Sequence, residues 1–523
     1  METETQAVMF ADVHLWRPQP AEPEAEAQAP AGERQPRFQP VNRNQLLLRP
    51  VDVEQLVGPD HPARAIWALV NERDLGRFHD HIQAVEGVAG RSARDPRLLI
   101  SLWIYAYLDG TPSAREIARQ CLYNPAYQWL TGANSVSAHA LSDFRTAHAE
   151  ALKDLSTQVL ALLAEEGLVD LEQVTQDGTK VRASAGADTF RREATIQRHL
   201  EQARQRLEEL DRQDGEELSA LTLEARQRAA REKIQRMEQA LQQMEQIRRT
   251  KPESEQAQVR VSLTDPEARI MKQNDGGFAP SYNVQFTTDA KQTVIVSVEV
   301  TQEASDAGQL QPAMERLQQE AGQAPRQALV DGGYTSRENV VGMARREIDL
   351  IGPPLDGHKQ KETLYEMRGV APEFRPEAFV WDPAANRYTC PAGKRLPFKS
   401  QQALVGQTKY TYWAAVEDCA ACAHKPLCCP TSKGGRALVR TEDGPEMVAF
   451  RTKMETAEAK QIYKKRGQVA EFPNLCVKQK FGLRQFSVRG LKKVNIEALW
   501  VNLAFNVQQW IRLCWRPQLA MPG

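Results

Sequence analysis

Between residues 42 and about 167 the apolar positions recur at spacings of three and four. VEQLVGPDHPARAIWALVNE, DPRLLISLWIYAYLDG and SAREIARQCLYNPAYQWLTG each carry such a stripe, with Gly, Pro or Asn at the joints. The pattern predicts short helices joined by tight turns, closing in SVSAHALSDFRTAHAEAL. The period then changes. LEQVTQDGTKVRASAG, residues 171–186, alternates and is rich in Val and Thr, which predicts a strand ending at Asp177 with a turn at Gly178. From 190 to 250 the chain reads as a charged helical hairpin. Ile196, Leu200, Ala203, Leu207 and Leu210 step by four and three, Asp214-Gly215 interrupts the run, and Ala230, Ile234, Met237, Leu241 and Met244 resume it. Such a seam predicts an antiparallel coiled-coil pair.

β-Rich runs follow: SYNVQFTTD, TVIVSVEV, RQALVDGG and EIDLIGPP, with the helical stretch GQLQPAMERLQQEAG between the second and third. Two hairpin strands and a helix crossing to further strands predict a mixed sheet covered by helices. Irregular, cysteine-bearing sequence occupies about 361–436. Long helices are expected from about 445 onward, and the continuous apolar character of NIEALWVNLAFNVQQWIRLCW predicts a buried one.

At 523 residues the chain is long enough for several domains, and its 41% hydrophobic and 26% charged content is that of an ordinary soluble protein. No apolar run reaches the roughly 18 residues of a membrane helix, and no signal-like leader opens the sequence, so a cytoplasmic location without membrane contact is expected. Residues 1–40, rich in Ala, Pro and Glu over 21–40, are expected to be a disordered tail.

A net charge of −1 gives no global sign of a polyanionic partner, so any such reading rests on local charge. Between Arg451 and Lys493 there are twelve Lys and Arg against three Glu, a local balance of +9, whereas a solvated helix face normally mixes both signs. Five of the eight cysteines fall between Cys390 and Cys429, which in a cytosolic chain suggests metal ligation rather than disulfides. Cys390, Cys419, Cys422 and Cys428 form the best tetrahedral set, with Cys429 or His424 as substitutes, and four protein ligands would make any zinc structural. Cys121, Cys476 and Cys514 stand alone in helical sequence and read as small core residues.

Three acids occupy places where a metal-dependent phosphoryl-transfer site is conceivable. Asp177 in TQDGTK and Asp331 in LVDGGY each follow a β-rich run and precede glycine, and Glu471 lies on a downstream helix. Two divalent ions about 3.5 to 4 Å apart need hard oxygen ligands of this kind. Each Asp-Gly pair on its own is more often a turn, and Glu471 on its own an ordinary ion-pair partner for its Lys neighbours. Asp170, Asp289, Asp306 and Glu497 compete for the same part.

Taken in order, these residues resemble a known family. The strand bearing Asp177, two further strands, a helix, a strand leading to Asp331 and a helix with Glu471 resemble the RNase H-like core of DDE transposases. Tyr463, Arg466, Glu471 and Lys478 in YKKRGQVAEFPNLCVK resemble the Y-x2-R-x4-E-x6-K signature of bacterial insertion-sequence transposases, in a branch with a cysteine-rich insertion. LVGPDHPARAI, DPRLLISLWIYAYL, LSDFR, DGTKVRASA, TDPEARIMK, YNVQ and VDGGY extend the likeness over most of the chain.

The resemblance implies an α/β fold whose RNase H-like mixed sheet spans 168–189 and 251–360 and is completed by C-terminal helices over 441–523. A helical DNA-binding domain would occupy 41–167, a coiled-coil insertion 190–250 and a cysteine-rich, zinc-ribbon-like insertion 361–440. It implies an enzyme that binds the terminal inverted repeats of its element and cuts and joins DNA as a homodimer. Asp177, Asp331 and Glu471 would be catalytic and hold two Mg²⁺ or Mn²⁺ ions. Tyr463, Arg466, Lys478, Lys180 and Arg145 would contact DNA, and one structural Zn²⁺ would sit on the cysteines. The alternatives are a domesticated regulator that binds ends without cutting, and an RNase H-like nuclease that cuts without joining. Pro473, two residues after Glu471, is expected to kink or end the glutamate helix.

Overall fold

The structure, a computed structural model, describes residues 50–80, 82, 84, 92–212, 220–273, 275–355 and 358–520. The chain divides into two units, 1–51 and 52–523. All but the last two residues of the first unit, including the expected tail over 1–40, lie outside the described residues.

Short helices fill the N-terminal part of the second unit, among them Pro62–Asn71, Pro96–Leu108, Ala114–Tyr123, Ala138–Ala147 and Ala149–Glu165. Capping fixes where several begin: Asp95 accepts from the Arg97 amide ahead of Pro96, and Ser137 accepts from the amide of Ala140. Trp103, Ile100, Ile104 and Tyr107 are fully buried on the Pro96–Leu108 helix.

A mixed six-stranded sheet follows. Its strands are β1 (Gln173–Arg182), β2 (Arg269–Lys272), β3 (Phe278–Asp289), β4 (Val294–Thr301), β5 (Gln327–Leu329) and β6 (Asp349–Ile351). β1 lies between β3, antiparallel to it, and β5, parallel to it; β6 continues parallel beyond β5, while β2 and β4 share the far edge of β3. Helix α1 (Leu310–Ala321) crosses from β4 to β5 and α2 (Arg337–Arg345) from β5 to β6. The arrangement is a mixed α/β fold consistent with an RNase H-like core.

The expected turn at Gly178 is not there. Asp177 and Gly178 lie inside β1, opposite Phe286 and Gln285 of β3. A Cβ on Gly178 would stand 2.5 Å from Asp306 Oδ1 and collide with the amide of Gln285, so the missing side chain makes room for buried polar groups.

After β6 come α3 (Arg466–Leu475) and α4 (Leu491–Trp510). The C-terminal region is otherwise broken into shorter helices, Pro445–Glu455 and Ala457–Lys464, instead of the long ones expected from 445. Pro473 sits inside α3 without ending it; the helix runs to Leu475 and continues as a wide π turn over Cys476–Lys480. The proline removes one backbone donor, and the turn that follows absorbs the lost register.

α4 is buried on nearly every face and packs on the N-terminal helices and on β4. Asn506 and Asn495 exchange side-chain hydrogen bonds with the backbone of Ile295 and Val300, covering the outer edge of β4.

Helices Glu193–Arg212 and Ala220–Arg249 pack against each other through Ile196, Leu200, Met237, Ala240 and Met244, with Arg204 paired to Glu238 across the seam. Residues 213–219, with Asp214-Gly215, lie outside the described residues. A separate five-stranded antiparallel sheet between 380 and 443 packs Leu396, Tyr412 and Leu438 onto Phe374, Phe379, Cys428 and Cys429.

Candidate active site

Asp177 is largely buried in the central strand, and Asp331 caps the short turn Gly332–Tyr334 just beyond the neighbouring strand β5. Parallel pairing of Thr175 with Leu329 brings the two acids alongside each other. One nitrogen joins them: Arg466 Nη2 lies 3.2 Å from Asp177 Oδ1 and 3.7 Å from Asp331 Oδ2. The Asp331 carboxylate also accepts from the Gly333 amide at 2.8 Å.

Arg466 comes from the start of α3, which packs on β1 and β3. Arg466, Ala470 and Asn474 recur at the helical spacing of four and so share a face. Ala470 is buried, and Asn474 donates its amide to Asp177 Oδ2 at 2.8 Å. Asn474 Oδ1 is buried without a hydrogen-bond partner, as is Arg466 Nε.

Burial pushes the Asp177 carboxyl up to about 6, against the opposing pull of the Arg466 charge and with a further push from Asp331.

Glu471 stands on α3 between Arg466 and Asn474, exposed, with its carboxylate lying back over Gly467. It has no hydrogen-bond or ion-pair partner among the described residues. No three His, Cys, Asp or Glu side chains among the described residues are placed to hold one metal ion. The structure brings two of the three acids together and places the third on the helix that joins them.

The candidate DNA contacts divide. Lys478, in the π turn, is half-buried; burial lowers its pKa first, nearby Lys180 lowers it further, and Asp177 opposes both. Tyr463 is half-buried against the main core. Lys180 is largely buried in an ion pair with Asp306, 3.1 Å away. Arg145 is a correction: only 5% exposed, it stacks over Trp103 at 4.6 Å, lies 3.5 Å from Glu497 and donates to the carbonyl of Pro112. Its charge is spent inside the protein, where no phosphate reaches it. Glu497 is spent in the same way, accepting from the amides of Ser487 and Val488 and from the Ser487 hydroxyl. That removes it as a rival to Glu471.

Two polar groups beside the acids carried no clear sequence signal. Asn474 follows Glu471 by three positions, and only the packing of α3 on β1 gives it a part. Asp306, one of several competing acids, accepts from Asn283 at 2.6 Å and Gln285 at 2.8 Å. Gln285 in turn accepts from Tyr334 at 2.6 Å, linking this network to the turn that carries Asp331.

The cysteines 390, 419, 422, 428 and 429 line one small cavity of about 20 Å³ together with His424 and Arg436. No three of them are arranged as ligands of one ion. Burial pushes the Cys428 thiol up to about 12 in the metal-free protein. The expected zinc gains no support.

Two families match this sequence: a transposase DDE domain over residues 389–511 and a transposase domain, DUF772, over residues 51–147. Together they indicate an insertion-sequence DDE transposase. The first match contains Glu471 and its neighbours, and a domain of that type implies dependence on divalent metal. No curated protein matches the sequence. Among solved structures, the piggyBac transposase synaptic complex with hairpin DNA aligns at a TM-score of 0.31 and 7% identity, over 87% of this chain and 76% of that one. So low a score supports no argument. The two matched domains support a DNA transposase and suggest an enzyme of the nuclease and transposase class.

Proposed function

We propose that the protein binds the terminal inverted repeats of its own insertion sequence through the helical region near its N-terminus, and cuts and joins DNA strands at Asp177, Asp331 and Glu471. The observation that carries this reading is the Arg466 guanidinium, which lies within 3.2 and 3.7 Å of acids from two different strand ends. Glu471 is exposed, and Lys464 and Lys465, just before α3, are exposed and able to meet phosphates.

The donors fit a hard divalent cation. Two facing carboxylates and the unpartnered Oδ1 of Asn474 are oxygen ligands of the kind Mg²⁺ and Mn²⁺ accept. Asp177 and Asp331 would hold the ions, with Glu471 turned in from α3. Bound divalent cations would supply positive charge for an attacking hydroxyl and for the leaving oxygen of a phosphodiester.

The remaining work falls to this chain's own residues. Asn474 and the backbone amide of Gly178 orient the Asp177 carboxylate, and Gly333 orients that of Asp331. Arg466 and Lys478 offset the repulsion between carboxylates and an incoming DNA backbone. Two ends have to be processed together, so a second copy of the chain is the partner the reaction calls for.

Strand joining separates this reading from its nuclease alternative. Pre-cut end DNA incubated with the protein, Mg²⁺ and a target plasmid should yield joined products. Hydrolysis without joining would support a nuclease, and binding of ends without either would support a regulator.

A further inference from the structure

Arg466 stands where a cation between the two acids would stand. Its Nη2 is shared by Asp177 and Asp331, its side chain is only 13% exposed, and its Nε is buried without a partner. A guanidinium held by two carboxylates through one nitrogen is poorly satisfied compared with a bidentate pairing, in which two parallel N–H groups meet two oxygens. A DNA phosphate offers that bidentate geometry, and α3, which carries Arg466, continues into the half-buried Lys478 and the exposed Lys480.

We propose that Arg466 is an interlock between DNA and metal. Without DNA its guanidinium neutralises Asp177 and Asp331 and blocks cation entry; when DNA arrives it moves to a phosphate and leaves the acids to the divalent ions. This rests on the reading of Asp177 and Asp331 as metal ligands. It accounts for the sharing of one guanidinium nitrogen by acids from two different strand ends. A transposase gains from such coupling, because the ions that cut DNA are admitted only when DNA is in place.

Linkage makes the consequence measurable. If Arg466 competes with the ion, removing its charge tightens metal binding to the DNA-free protein, and DNA tightens metal binding to the unaltered protein by the same competition. Mn²⁺ affinity is measured by electron paramagnetic resonance on the full chain, with and without end DNA. The proteins compared are the unaltered chain, Arg466→Gln, Arg466→Lys and Asp177→Ala, with circular dichroism confirming that each is folded.

The expected result is that Arg466→Gln binds Mn²⁺ about tenfold or more tighter than the unaltered protein without DNA, a difference of about 1.4 kcal/mol per decade. DNA should tighten binding to the unaltered protein and add little in Arg466→Gln, while Arg466→Lys, which keeps the charge on a shorter reach, falls between. Unchanged or weaker Mn²⁺ binding in DNA-free Arg466→Gln, with binding still lost in Asp177→Ala, overturns the interlock and leaves the metal site standing. Mn²⁺ binding that survives Asp177→Ala overturns both.

Discussion

Asn474 donates its side-chain amide to Asp177 across 2.8 Å, joining residues 297 positions apart in the sequence. The bond fixes one carboxylate oxygen and leaves the other to Arg466 and the Gly178 amide. Asn474→Ala should therefore free the Asp177 side chain to rotate, slowing cleavage of end DNA about 10- to 100-fold. Equilibrium binding of the same DNA should be unchanged. Equal losses in both assays would show that Asn474 acts on DNA binding and not on the acid.

The raised Asp177 carboxyl makes a statement about stability against pH. In the folded protein it holds its proton up to about pH 6, against a reference near 3.8. The native state therefore binds more protons than the unfolded state between those values, and stability falls as pH rises through that window. Below about pH 4 both states are protonated and the cost vanishes; above pH 6 it is complete, at about 2 to 3 kcal/mol. In chelator, Asp177→Asn should gain stability relative to the unaltered protein as pH rises from 4 to 7, read by urea unfolding. Parallel curves would contradict the burial argument.

Gly178 leaves no room for a methyl group, because Asp306, Gln285 and the Tyr334 hydroxyl crowd its Cβ position. Gly178→Ala should lower stability by about 1 to 3 kcal/mol, as overpacking does, and displace the neighbouring Asp177. A drop in melting temperature with loss of cleavage is expected. If Gly178 were a surface turn residue, the substitution would change neither.

Arg145 and Lys478 should behave in opposite ways. Arg145→Met leaves the buried Glu497 carboxylate without its counter-charge, held only by hydrogen bonds from Ser487 and Val488, and should destabilise the protein by about 3 to 5 kcal/mol. The salt dependence of DNA binding by the folded fraction should be unaltered. Lys478→Ala should cost little stability and reduce the slope of log affinity against log salt by about 1. Measuring DNA affinity across a salt series for both variants checks the assignment.

Much of the sheet was legible because its runs of Val, Ile and Phe have a strand's length and are bounded by Gly, Asp and Pro, as in QALVDGG before Asp331. The hairpin seam was legible for the same kind of reason: Ile196, Leu200 and Met237 repeat at a spacing only a helix pair can bury. The error at Gly178 came from reading Asp-Gly as a turn, when the glycine serves a close approach by Asp306, a residue 128 positions later whose nearness depends on tertiary packing. Arg145 was misread because a basic residue in a helical region looks alike on the surface and over a buried Trp103. Asn474 could not be found at all, since its part comes from the docking of α3 on β1. Pro473 marked a real irregularity, which the chain resolves by a π turn instead of a helix end.

The central claim is that Asp177, Asp331 and Glu471 act together on DNA, and one assay tests it most directly. Cleavage of end DNA is measured in Mg²⁺ for Asp177→Asn, Asp331→Asn and Glu471→Gln, alongside DNA binding without metal. Each substitution should reduce cleavage by about a thousandfold or more, the scale on which essential catalytic groups act, while binding persists. Glu471→Gln that cleaves as fast as the unaltered protein would contradict the account.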